Sequence, residues 1–137
     1  MTGRLRTHDP ADRGSSTVEF AVLVPMIMML ILAGPQFGMW YVGRQVAQEA
    51  AHVGVREGSI EGAGSREAHD AAFAYAQDAG GNTLRNLVVD TSKSDATEVT
   101  VVVSATVPLV MPMLGQKLTI HAEATRPRER FTKDGQR

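Results

Sequence analysis

The sequence predicts an α+β chain: a long N-terminal transmembrane helix that extends into a small extracytoplasmic domain, where a second helix covers a three-stranded antiparallel sheet. Three observations predict it. From Phe20 to Gly43 stand 24 consecutive uncharged residues. A glycine-rich break at 58–64 is followed by an alanine-rich stretch with helical spacing. The last third alternates apolar and polar side chains, the period-two signature of half-buried strands.

Length and composition bound the rest. With 137 residues, the first third of them largely taken by the apolar run, the chain has room for one small folded core. Its 14 basic and 15 acidic residues leave a formal charge of −1, with no basic face for nucleic acid and no acidic block. It contains no cysteine, so disulfides, thiolate metal sites and thiol catalysis are excluded together.

The elements follow in order. Residues 1–14 are polar, contain a proline and show no periodicity, so they read as a cytoplasmic leader. Residues 15–43 form the transmembrane helix. The uncharged run alone covers about 36 Å as a helix, against a hydrocarbon core of about 30 Å. Trp40 and Tyr41 suit the headgroup level and Arg44 is the first charge beyond, which places the far boundary near residues 40–44. Pro25 and Pro35 each remove a helical hydrogen bond, and Gly34 beside Pro35 marks the expected bend. A cleaved secretory signal fits less well, because the run exceeds the usual apolar core and no A-x-A site follows. Arg4, Arg6 and Arg13 before the span against Arg44 and Arg56 after it favour a cytoplasmic N-terminus and a cytoplasmic-membrane location.

Beyond the span, a stripe of Val42, Val46, Ala50 and Val53, with Ala47, Ala51 and Gly54 beside it, predicts that the helix continues to about Glu57. Residues 44–126 are the expected extracytoplasmic domain. Its second helix fits Ser65 to Ala79, with Ser65 as N-cap, a face of Ala68, Ala71, Ala72, Tyr75 and Ala79, and a stop at Gly80-Gly81-Asn82. Residues 84–90 make the weakest strand. In the second, Val99, Val101, Val103, Ala105 and Val107 point inward; in the third, Leu118, Ile120, Ala122 and Ala124 do. The connection from Pro108 to Gln116 sets apolar side chains around two prolines, which serves a wide loop folded onto the core as well as a partner-binding patch. Residues 127–137 read as a flexible basic tail.

The residues of chemistry form no recognisable centre. Four histidines, at 8, 52, 69 and 121, are scattered without metal-ligand spacing, and no phosphate-binding loop or nucleophile elbow occurs. The expectation is a chain that is not an enzyme, with no catalytic residue, no metal, no cofactor, no small-molecule substrate and no nucleic-acid partner.

Glu19 is then the one unexplained charge, standing at the mouth of the apolar run. One reading is purely local. Ser16-Thr17-Val18-Glu19 matches S-x-x-E, a capping box in which the acid satisfies a backbone N–H at a helix start. A second reading uses more of the residues. Gly14, small residues, a glutamate fifth after the glycine and then the span resemble the processing site of type IV prepilin-like proteins. Arg13, Gly14, Ser15, Val18, Glu19, Phe20, Ala21 and Pro25 make the stretch especially similar to the TadE-like family, minor pseudopilins of the tight-adherence (Tad/Flp) pilus assembly system.

That resemblance, sharp over about 20 residues, implies a pilin-like fold and an assembly role in a pilus that serves adhesion or secretion. Its partners would be the membrane, a prepilin-type aspartyl peptidase and other Tad/Flp pilus proteins. The peptidase would cut between Gly14 and Ser15; Glu19 would pair with the new Ser15 amine of a neighbouring subunit; Phe20, Pro25 and Gly34 would lie on packing surfaces of the helix. Ser15 stands where ordinary pilins carry phenylalanine. The alternative is an uncleaved single-pass signal-anchor protein whose small outer domain binds an envelope partner.

Overall fold

The computed structural model describes residues 12–109 and 117–129, with side chains from Thr17 onward. Residues 1–11 of the expected leader, most of the Pro108 to Gln116 connection, and residues 130–137 of the expected tail lie outside the described residues. Five elements follow in order: α1 (Asp12–Ser59), α2 (Ser65–Gly80), β1 (Arg85–Asp90), β2 (Glu98–Val107) and β3 (Leu118–Pro127). The α+β class, the long first helix and the three-stranded antiparallel sheet are all present. Two compact units divide between Pro35 and Gln36, next to the expected bend.

The first unit holds the helical run up to Pro35. α1 contains both Pro25 and Pro35, and is long and apolar enough to cross a membrane, with a mean hydropathy of 2.2 in its most apolar window. Its large side chains lie bare: Phe20 and Leu30 are both 66 % exposed. A helix satisfies its own backbone hydrogen bonds, and so is one of the two backbone forms that survive in lipid.

The second unit, from Gln36 onward, has a core of small residues. β1, β2 and β3 form a meander in that order, every neighbouring pair antiparallel. Register sets Val101 opposite Ala124, Val103 opposite Ala122 and Ala105 opposite Ile120, so the inward residues of β2 and β3 make one continuous apolar face, as the alternation predicts. β1 is irregular, with a bulge between Arg85 and Val88 and Asn86 at a φ of 50°. From Gly43 onward α1 lies along this face antiparallel to β2. A Cβ added to Gly43 would come within 3.0 Å of Val107, one on Gly54 within 3.2 Å of Val101, and one on Gly58 within 3.1 Å of Val99.

That close approach narrows two expected helix faces. In α1 the residues buried are Gly43, Ala47, Ala50, Ala51, Gly54, Val55, Gly58 and Ser59, which include the expected Ala47, Ala50, Ala51 and Gly54, while Val42 is exposed and Val46 and Val53 are only half-buried. In α2 they are Ala68, Ala72, Ala76 and Gly80, while Tyr75 and Ala79 are exposed. The reason is steric. A Cβ on Gly54 would stand 2.7 Å from the Ala68 carbonyl oxygen and 2.8 Å from the Ala72 methyl, so only the smallest side chains fit between the helices.

The ends of α2 differ from expectation at one side. Gly64, not Ser65, is the N-cap, and its backbone N–H donates to Glu67 Oε2 at 2.8 Å, half of a capping box without the cap hydroxyl. At the other end Gly81, with a φ of 46°, donates its N–H to the Gln77 carbonyl, as the glycine pair predicts. The expected break at 58–64 begins after Ser59, because Gly58 is spent on helix packing.

The expected flexible tail from residue 127 is also shortened by observed bonds. Pro127 belongs to β3. Arg128 donates from its backbone to Thr97, from Nε to the Asp95 carbonyl at 3.0 Å and from a terminal nitrogen to the Ala63 carbonyl at 3.3 Å. Glu129 N–H donates to the Ser59 carbonyl at 2.9 Å. These bonds tie the α1–α2 connection, the β1–β2 loop and the end of β3 together.

Candidate functional site

Four of the expected site residues, Gly14, Ser15, Glu19 and Phe20, fall within two turns at the start of α1, and Pro25 and Gly34 further along it. Gly14 and Ser15 are helical, and their side chains lie outside the described residues. Glu19 is exposed, as are Phe20, Pro25 and Gly34, and nothing lies within 4 Å of a Cβ built on Gly34.

Ser16 and Glu19 both lie inside α1, whose first described residue is Asp12, so in the unprocessed chain neither stands at the first described turn of that helix. Among the described residues no hydrogen bond or ion pair reaches the Glu19 carboxylate. Glu19 shares a helix face with Leu23 and Met26, at the i+4 and i+7 positions, and with Ser15 at i−4, which is about 6 Å along the axis. A carboxylate on such an apolar helix costs on the order of 2.5 to 3.5 kcal/mol near a bilayer centre and less near its surface. A cation supplied beside it lowers that cost, and the geometry leaves the side chain accessible to one.

The second unit presents different chemistry. Its sheet turns a polar face outward, where Ser104 Oγ stands 2.9 Å from His121 Nδ1, Asn86 Nδ2 donates to Thr106 Oγ1 at 3.0 Å and Lys93 pairs with Glu123 at 2.8 Å. The sequence reading missed the Ser104–His121 contact. Only the cross-strand register brings these two residues together, and the alternation of polar residues gave their common face but not their pairing. His121 is exposed and Ser104 half-buried on this outer face. Among the described residues no group of three or more His, Asp or Glu could hold a metal ion.

In the β1–β2 loop, Asp95 Oδ1 accepts from the Thr97 hydroxyl and backbone N–H and from the Glu98 N–H, each at 2.7 Å. These bonds, the Thr97 hydroxyl first, hold the Asp95 carboxyl below the ordinary aspartate range. Asp90 is lowered in the same way by the Ser92 N–H. Both are loop-building aspartates.

No curated protein and no solved structure matches the chain. A family does match, and it covers the segment that carries Gly14, Glu19 and the whole apolar run: over residues 14–56 the chain is similar to the TadE-like protein family.

Proposed function

We propose that this chain is a minor pseudopilin-like component of a Tad/Flp-type pilus assembly system, anchored in the cytoplasmic membrane by α1 with its N-terminus in the cytoplasm. The family match over residues 14–56 supports a Tad pilus-associated, membrane-anchored component. In this reading the chain is a structural part and not a catalyst.

The single observation that carries the finer role is Glu19, an exposed acid on an apolar helix face with no described partner. Cleavage by a prepilin-type peptidase between Gly14 and Ser15 creates an α-amine with an ordinary pKa of about 7.7 to 8.0, largely cationic at neutral pH. That amine and the Glu19 carboxylate of a neighbouring subunit lower each other's cost in lipid and set the register between helices. Apolar side chains supply most of the contact, and Phe20, Pro25 and Gly34 shape it.

The test is the intact mass and N-terminal sequence of the protein recovered from membranes of a host that has its own prepilin-type peptidase. A chain beginning at Ser15 is expected. Gly14→Leu should retain the leader, and Glu19→Gln should be processed and inserted yet lose co-purification with pilus proteins. Retention of residues 1–14 in the unaltered chain would instead support an uncleaved signal anchor whose outer domain binds an envelope partner.

A further inference from the structure

At the end of the second unit opposite Gly43, three connections meet: the last turn of α1 with its passage into α2, the β1–β2 loop, and the residues that leave β3. Ser59 is the last residue of α1, where the final carbonyls have no partner within the helix. Ala63, Asp95 and Thr97 stand outside every helix and strand. Their carbonyls need donors from elsewhere. Two consecutive residues supply them. The Glu129 N–H donates to Ser59 at 2.9 Å and the Arg128 N–H to Thr97 at 2.8 Å, while the half-buried Arg128 side chain donates from Nε to Asp95 at 3.0 Å and from a terminal nitrogen to Ala63 at 3.3 Å.

The two side-chain bonds run from one planar group to two different connections, and this couples them. Holding an arginine side chain in one geometry costs rotamer entropy, and that cost falls once although two bonds are made. A guanidinium already held by Ala63 has little further freedom to lose on meeting Asp95, so each bond strengthens the other. Loss of one raises the cost of keeping the second. The Asp95 carboxylate extends the linkage into the loop: its three bonds of 2.7 Å from Thr97 and Glu98 set the turn that presents the Asp95 and Thr97 carbonyls to Arg128.

We propose that Arg128, with Glu129, is a latch that makes the α1–α2 connection and the β1–β2 loop open and close as one cooperative unit, separately from the sheet core. It is a single point at which this end of the domain is released: displacement of Arg128 frees two connections at once, while Val101 and Val103 stay buried. The proposal stands on the second unit alone and is independent of the membrane and pilus readings.

The test is residue-resolved amide hydrogen exchange of the full, isotope-labelled chain in detergent micelles. It is read at Ala63, whose N–H donates to Ile60, at Thr97, whose N–H donates to Asp95, and at Val101 and Val103 in β2. In the unaltered chain Ala63 and Thr97 should share one opening equilibrium, less protected than β2. Arg128→Ala should speed both by about tenfold, the loss of two hydrogen bonds from a charged donor, and leave β2 unchanged. Arg128→Lys keeps the charge, but a single ammonium on a flexible stem does not replace the planar fork, so it should behave nearly as the alanine variant. Asp95→Asn is the decisive change, because the carboxylate bonds are made to Thr97 and Glu98. It should speed Ala63 as well as Thr97, and add little to Arg128→Ala when the two are combined. Acceleration of Thr97 alone by Asp95→Asn, or of one connection alone by Arg128→Ala, overturns the latch. Equal acceleration through β2 in the Arg128 variants also overturns it, since the bonds then serve the whole fold and not a separate unit.

Discussion

The two regions of this molecule invert each other's use of apolar residues. In the first unit leucine, isoleucine, methionine and phenylalanine are exposed, whereas in the second alanine, glycine and valine are buried and few larger side chains reach the centre of the core. Bare large side chains are stable only where the solvent is itself apolar, so the first region is built for lipid. The second is built for close approach: its helices and sheet come near enough that stability rests on contacts between small groups. Glycine therefore has opposite meanings. Gly34 in the first unit has open space around it, whereas Gly43, Gly54 and Gly58 in the second have none.

The largest expected effect breaks that difference directly. Gly54→Leu should prevent the second unit from folding, because even a Cβ meets the Ala68 carbonyl oxygen at 2.7 Å and backbone cannot yield as a flexible side chain can. In detergent micelles its circular dichroism should lose the cooperative thermal transition. Gly34→Leu should leave that transition unchanged and act, if the pilus reading holds, only on assembly. Retention of a cooperative fold in Gly54→Leu would refute the packing.

A smaller effect compares valines in the two regions. Val101→Ala, at a fully buried position, should destabilise the fold by about 2 kcal/mol in urea titrations, the transfer loss plus a cavity. Val22→Ala, an equal chemical deletion at an exposed site, should not move the midpoint.

Acid sharpens the comparison further, through the loop aspartates of the second unit. The Asp90 and Asp95 carboxyls are held below the ordinary aspartate value near 3.9. Their contribution is therefore complete above about pH 4 and is lost as the pH falls through the lowered folded-state values. The thermal midpoint should drop between pH 5 and pH 2, and Asp95→Asn should reduce both the midpoint at pH 6 and the size of that drop. The smallest effect belongs to the surface: Lys93→Ala removes an exposed ion pair with Glu123 and should cost no more than about 0.5 kcal/mol, less in high salt.

Legibility followed the periodicities. The strand alternation of β2 and β3 was readable because one face is buried and a slip of one residue would expose it. The helix faces were read less well. Val42 and Tyr75 drew the apolar stripes toward themselves on hydrophobicity, but the space between α1, α2 and the sheet admits only glycine and alanine. At the candidate site, Gly14 and Glu19 stood out in sequence, because a glycine and an acid interrupt the approach to an otherwise apolar run. The Arg128 bonds were illegible, since their partners at Thr97, Asp95 and Ala63 are up to 65 residues away in the chain.

By itself the amino-acid order determined the apolar run, its anchoring residues, the number and kind of elements and the unusual acid, because each depends on neighbours within a few turns or strand residues. Tertiary structure alone decided which helix faces are buried, how Arg128 closes the far end, and that Leu118 reaches Phe37 and Trp40 at the end of the run. Those outcomes depend on distances between segments far apart in sequence, and steric fit between them is a property of the packed chain rather than of any local pattern.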